Sequence, residues 1–201
     1  VTALDAVDEQ RRKLYFTSTE ESALERHLYS VGFDGGKVQR ITTVSGTHEA
    51  VFSPDSALYL DRFSTAIKPS SRSVYRIGTE AGSEPNKLFT LNEAPTPADI
   101  PLRTVFFVKA KTHDGVELNA RIIQPAGFSP EKKYPAIVYV YGGPGQQAVR
   151  DGWDGDLSMW QQLLAQQGYV VFAIDGRGSS GRGHVFEEYL HLKLAGQEVV
   201  D

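Results

Sequence analysis

Short runs in which apolar and polar residues alternate fill the first half of the chain, at 14–17, 28–31, 38–42, 50–52, 58–60 and 74–77. They are rich in Tyr, Val, Ile and Phe, and Asp-Gly, Gly-Gly and Pro-Asp turns punctuate them, which predicts short antiparallel strands joined as hairpins. The pattern repeats. Tyr15 and Tyr59, each in a Leu-Tyr run, are 44 positions apart, and Tyr29 and Tyr75 are 46 apart. Arg40-Ile41-Thr42 is echoed by Lys87-Leu88-Phe89-Thr90. A period of this length with about four strands per unit is that of propeller blades, so two blades are expected here.

The pattern changes after residues 92–101, where three prolines in ten residues predict a linker. Two further strands, 105–108 and 116–123, flank a hairpin turn at His113-Asp114-Gly115. The run 136–141 is almost wholly apolar, as in a parallel strand buried on both faces. A helix fits 157–167, with Leu157, Trp160, Leu163 and Leu164 as its apolar face, Asp156 as its cap and Gly168 as its end. A second buried strand at 169–174 follows, and then a second helix at 184–195 with Val185, Phe186, Tyr189 and Leu192 inward. Strand, helix, strand, helix implies an open α/β sheet. The expected architecture is therefore mixed, with propeller blades over 1–97 and the first part of an α/β sheet over 98–201.

Composition narrows the function classes. The chain has 201 residues, 40% of them hydrophobic, and a net charge of −4 from 21 basic and 25 acidic side chains. That balance offers no basic surface for phosphates, so no nucleic-acid partner is expected. With no cysteine there is no thiolate nucleophile and no thiolate metal site. The five histidines, His27, His48, His113, His184 and His191, lack ligand spacing, so neither a metal nor a cofactor is expected. No apolar run is long enough to span a membrane. The start at Val1, a single methionine at Met159 and the stop at Asp201 read as a piece of a longer protein.

Candidate chemistry lies where the two buried strands end, because ligands bind at the carboxyl edge of such sheets. The first loop is Tyr141-Gly142-Gly143-Pro144-Gly145. Its glycines let the main chain turn sharply, and the Tyr141 hydroxyl is a candidate donor to the oxyanion of a tetrahedral intermediate. The plainer alternative is a glycine turn packed over a half-buried tyrosine. The second loop, 175–181, contains G-x-G-x-x-G between a strand and a helix. Three features oppose dinucleotide binding: Asp175 beside the phosphates, a helix that starts only near His184, and no following strand with a ribose-binding acid. Its plainer reading is a turn in which Arg177 pairs with Asp175 or with a carboxylate from elsewhere. No serine has glycine at both −2 and +2, so the G-x-S-x-G elbow of a serine hydrolase is absent from these residues.

Several stretches together carry a family likeness. Thr17-Ser18-Thr19-Glu20, 24–29 and Phe52-Ser53-Pro54-Asp55 resemble the last propeller blades of the dipeptidyl peptidase IV-type serine peptidases in the prolyl oligopeptidase family. Lys133-Tyr134-Pro135, 140–144, 175–179 and 194–201 resemble the opening of that family's α/β-hydrolase domain. The resemblance implies a Ser-His-Asp exopeptidase that releases N-terminal Xaa-Pro or Xaa-Ala dipeptides from peptide substrates. It implies that Tyr141 is the oxyanion tyrosine and that Gly142 and Gly143 form the oxyanion loop. The glutamates that grip the substrate's amino terminus are implied upstream, and the triad downstream, so this chain alone is expected to be inactive. A periplasmic or secreted, homodimeric parent is implied as well. The Val-Tyr-Gly-Gly-Pro-Gly loop, in place of the Val-Tyr-Ala-Gly-Pro-Cys kind of animal members, points to a bacterial form. Rival readings are an acylaminoacyl peptidase, a proline iminopeptidase (which would lack blades), and a non-catalytic propeller-bearing binding module.

Overall fold

The computed structural model describes residues 1–78, 85–93, 101–192, 196, 200 and 201. The chain divides into two compact units, 1–96 with 151–153, and 97–150 with 154–201. The expected linker at 92–101 and the boundary at 97/98 lie largely outside the described residues.

The first unit is two four-stranded antiparallel meanders. One runs β1 (Ala3–Asp8), β2 (Lys13–Ser18), β3 (His27–Gly32) and β4 (Gly35–Arg40) in chain order. The other is β5 (Thr47–Phe52), β6 (Leu58–Thr65), β7 (Lys68–Arg76) and β8 (Asn86–Asn92). This is the blade pattern that the period predicted. β1 was not among the predicted strands: Leu4 and Val7 face outward, and its two aspartates break the alternation. Tyr15, Leu28, Tyr59 and Ile77 form the buried core, with Ala50, Phe52 and Tyr75 packed against it. Through it runs an aromatic ladder, Tyr15–Phe52 at 4.7 Å, Phe52–Tyr59 at 5.5 Å and Tyr59–Tyr75 at 5.2 Å between ring centroids. Each such pair adds about 0.5–1.5 kcal/mol beyond the area it buries.

The register corrects one half of the apparent repeat. Tyr59 sits opposite Tyr75, but Tyr15 sits opposite Ser30, and Tyr29 opposes Phe16. Tyr75 therefore corresponds to Ser30, and Tyr29 lies on the other face of its sheet, because a shift of one residue exchanges the faces of a strand. Residues 151–153 belong with this unit: Asp151 N–H donates to the Leu24 carbonyl at 2.7 Å, and its carboxylate accepts from Ala66 N–H at 2.7 Å.

The second unit is a four-stranded sheet of β9 (Val105–Lys111), β10 (Glu117–Ile123), β11 (Ala136–Val140) and β12 (Val170–Ile174), in the order β11-β12-β10-β9. β9–β10 is the expected hairpin around Gly115, which has φ +90°. β11 and β12 pair in parallel, connected through α1 (Asp156–Gln166). Among the described strands β11 lies at the edge of the sheet, where Val138 is 61% exposed.

Helix α1 departs from its apolar pattern. Its buried residues are Ser158, Gln161, Gln162 and Ala165, whereas Trp160 and Leu163 are exposed. The polar side chains face inward because they have partners. The Gln162 amide accepts from Arg103 N–H at 2.6 Å and donates to the Arg103 carbonyl at 3.0 Å. Gln161 accepts from the Arg121 guanidinium at 2.9 Å. Nor does Asp156 cap the helix. Gly155, at φ +58°, enters it, and the Ser158 hydroxyl accepts from Asp154 N–H at 2.9 Å. Gly168, at φ +94°, closes the helix as expected.

The predicted helix at 184–195 is cut short to α2 (His184–Glu187) and a 3-10 turn at Glu188–Leu190. Leu192 then takes φ +56°, which breaks the helical period, so Val185 and Leu192 face out while Phe186 and Leu190 are buried. Residues 193–195 lie outside the described set.

Candidate active site

The two glycine-rich loops leave the sheet side by side. Val140 pairs with Ile174 in the last rung of β11 and β12, so the chain departs toward Tyr141 and toward Asp175 from the same level. Gly145 N–H donates to the Gly178 carbonyl at 3.2 Å, and Ser180 N–H to the Gln146 carbonyl at 3.1 Å. Asp175 then closes the first loop onto the second. One carboxylate oxygen accepts from Ala148 N–H at 2.7 Å and the other from Val149 N–H at 3.0 Å. Burial pushes the Asp175 carboxyl up to about 6, against the two amide bonds and the attraction of Arg121 and Arg182, which hold it down.

Tyr141 lies one residue beyond β11 and is 51% exposed. A half-exposed ring against a glycine turn is also what the plainer reading supposes, so it is the hydroxyl that bears on the chemistry. Its ring lies over Gly143, where a Cβ would come within 2.8 Å of the ring, so the closeness of ring and backbone requires glycine at 143. Gly142 is exposed between them. Among the described residues the Tyr141 hydroxyl has no hydrogen-bond partner and is free to donate outward.

Arg177 is buried and held between two carboxylates. It donates to Asp114, in the β9–β10 turn, at 2.7 Å, and its main-chain N–H donates to the Asp201 carboxylate, also at 2.7 Å. Its guanidinium Nε donates to the same Asp201 carboxylate at 2.9 Å and lies 5.2 Å from the Tyr189 ring centre. These bonds raise the Arg177 pKa and bring the Asp114 carboxyl down to about 2. The partners of Arg177 thus come from elsewhere, and Asp175 is not among them.

The dinucleotide reading of G-x-G-x-x-G loses its physical basis. A Cβ on Gly178 would lie 2.3 Å from Leu190, so this glycine makes room for a leucine and not for a phosphate. The helix begins only at His184 and has four residues. His27 and His48 are buried structural groups. His27 meets Glu25 at 2.8 Å and Thr42 at 3.1 Å, and His48 meets Asp61 at 2.8 Å.

Sequence reasoning missed Asp175 as the fastener of the Tyr141 loop, and Asp114 and Asp201 as the partners of Arg177. A carboxylate placed directly after a buried strand was the one available signal, because such a group must find donors where it stands.

Comparison with known proteins agrees with this layout at both ends of the chain. Residues 1–70 match the dipeptidyl peptidase IV (DPP IV) N-terminal region, and residues 156–201 match the prolyl oligopeptidase family. The crystal structure of Porphyromonas gingivalis dipeptidyl peptidase 4 superposes with a TM-score of 0.81 at 30% identity, over 96% of this chain and 27% of that one. The chain belongs to the prolyl oligopeptidase family, on its dipeptidyl peptidase IV-like side. Its two meanders are blades of that family's β-propeller, and its second unit is the opening of the α/β-hydrolase sheet.

Curated relatives of this family member include dipeptidyl peptidase 8 of Homo sapiens, 32% identical over 97% of this chain and 22% of its own length. A probable dipeptidyl peptidase 4 of Emericella nidulans is 29% identical over the whole chain and 26% of its own length. The chain thus spans about a quarter of the proteins it matches.

Proposed function

We propose that this chain serves a serine exopeptidase that releases N-terminal Xaa-Pro or Xaa-Ala dipeptides from peptides, and that its own contribution is oxyanion stabilisation by Tyr141. The observation that carries this reading is the Tyr141 hydroxyl, uncommitted and half exposed, on a glycine loop at the carboxyl end of a sheet strand. In acyl transfer, a nucleophilic serine attacks the scissile carbonyl and the oxygen gains negative charge. A phenolic O–H fixed beside that oxygen gains strength as the charge develops, so it lowers the barrier more than it tightens substrate binding. The names of the relatives support the dipeptidyl specificity.

In the full-length enzyme, Tyr141→Phe is expected to lower kcat about 100- to 1000-fold and to change KM little. An unchanged kcat on a Gly-Pro chromogenic substrate would overturn the assignment. The 201 residues alone, which contain no G-x-S-x-G, are expected to leave that substrate intact. The same reading places the parent enzyme in the periplasm or outside the cell, as a homodimer. Cell fractionation and sedimentation equilibrium test these two points, and a cytosolic or monomeric parent would contradict them.

A further inference from the structure

We infer that Asp175 is a positioning residue for the reaction: its carboxylate clips the far end of the Tyr141 loop to the end of β12 and so fixes where the tyrosine stands. This inference rests on the oxyanion reading of Tyr141.

The geometry is that of a loop held at both ends by one strand. The near end is tied by the Val140–Ile174 rung, and Asp175 follows Ile174 directly. The far end is tied by the two amide bonds from Ala148 and Val149 to the same carboxylate. Between these anchors, the bonds Gly145 to Gly178 and Gln146 to Ser180 hold the loop against its neighbour. Residues 141–144 are left as a short arch whose position follows from its two ends. Glycine gives an arch no stiffness of its own, so its precision must come from the anchors.

A purely structural role for Asp175 explains less. The carboxylate is buried and has no ion-pair partner within 4.0 Å among the described residues. The cations nearest in effect are Arg121, from β10, and Arg182, from the loop beyond Gly181. Burial of an unpaired carboxylate disfavours the folded state, and an uncharged acceptor would hold the same chain at lower cost. What a carboxylate adds is two oxygens that grip two successive N–H groups with charge-assisted bonds. Costly groups kept next to a reacting loop are expected where position matters more than stability.

The test is a mutant cycle in the full-length enzyme. Asp175→Ala is expected to lower kcat about 10- to 100-fold with KM within about threefold, as for a catalytic donor displaced by a fraction of an ångström. In the Tyr141→Phe background the same change should cost less than about threefold, because a group that acts through Tyr141 has nothing left to position. Equal losses in both backgrounds would overturn the inference. Asp175→Asn, which keeps one acceptor oxygen, should fall between wild type and alanine and serves if the alanine variant does not fold. Amide hydrogen exchange separates the two claims. Should Tyr141→Phe leave kcat unchanged while Asp175→Ala still accelerates exchange at Ala148 and Val149, the oxyanion reading fails and the clip stands. Unaltered exchange at those two amides overturns the clip.

Discussion

The blades and the α/β unit are both β-rich, yet within each blade the strands pair in chain order, whereas the α/β sheet takes the order β11-β12-β10-β9. In the blades, each strand pairs with the next, and the buried His48–Asp61 contact spans 13 residues. In the α/β unit, Arg177 reaches Asp114 across 63 residues, Gln162 reaches Arg103 across 59, and Asp175 reaches Ala148 across 27. The blades draw on a ladder of aromatic rings, whereas the α/β unit has a small apolar cluster of Ile123, Ala165 and Val171. Around that cluster stand buried polar groups. The contrast teaches that a repeat can be built from neighbours, while a site at the strand ends must collect groups from distant parts of the chain.

The comparison can be broken at its most polar point. Arg177→Met removes the buried cation held between the Asp114 and Asp201 carboxylates, and is expected to destabilise the α/β unit by about 3–5 kcal/mol. The two tryptophans make this legible, because Trp153 belongs with the blades and Trp160 with the α/β unit. Urea unfolding of single-tryptophan variants should show the loss at Trp160 and leave the Trp153 transition in place. Coincident shifts at both would mean that the two units unfold as one.

A smaller effect sharpens the comparison through pH. The Asp175 carboxyl is raised to about 6, so its favourable contribution is complete below about pH 4 and lost as the pH rises through 6. Asp114 has the opposite sign: held at about 2, its contribution is present above about pH 4 and lost as the pH falls toward 2. The two windows do not overlap. Asp175→Asn should therefore flatten the stability profile between pH 4 and 6. Parallel profiles for wild type and variant would exclude Asp175 as the titrating group. The smallest expected effect is in the blades. Tyr59→Leu removes two of the three ring pairs of the aromatic ladder, should cost about 1–3 kcal/mol, and should register at Trp153 alone. A larger loss, or one seen at Trp160, would show that the ladder is not a local device.

What was legible follows the same division. Alternation located β2, β5 and β6 because each buries mainly one face of a strand, whereas β3, buried on both faces over His27–Ser30, was located by its Leu-Tyr run and flanking turns. The glycine run after an apolar strand located the Tyr141 loop, since few other sequences turn so sharply at a sheet edge. The tyrosine repeat was half misleading, because Tyr29 and Tyr75 share a spacing but not a face. The helix at 156–166 was found in place and wrong in orientation: a periodic pattern shows which residues share a face, and partners such as Arg103 and Arg121 decide which face turns inward.

By itself the sequence determined the blade period, the order of strands and helices in the second half, and the placing of a tyrosine and two glycines at a strand end. These depend on the local alternation of apolar and polar groups and on the conformational freedom of glycine, and both are properties of neighbouring residues. Only the tertiary structure decided that Asp175 grips Ala148 and Val149, that Asp114 and Asp201 hold Arg177, and that Gly178 yields to Leu190. Those contacts join residues far apart in the chain, and a buried charge can choose its partner only after the backbone has brought the candidates within hydrogen-bonding distance.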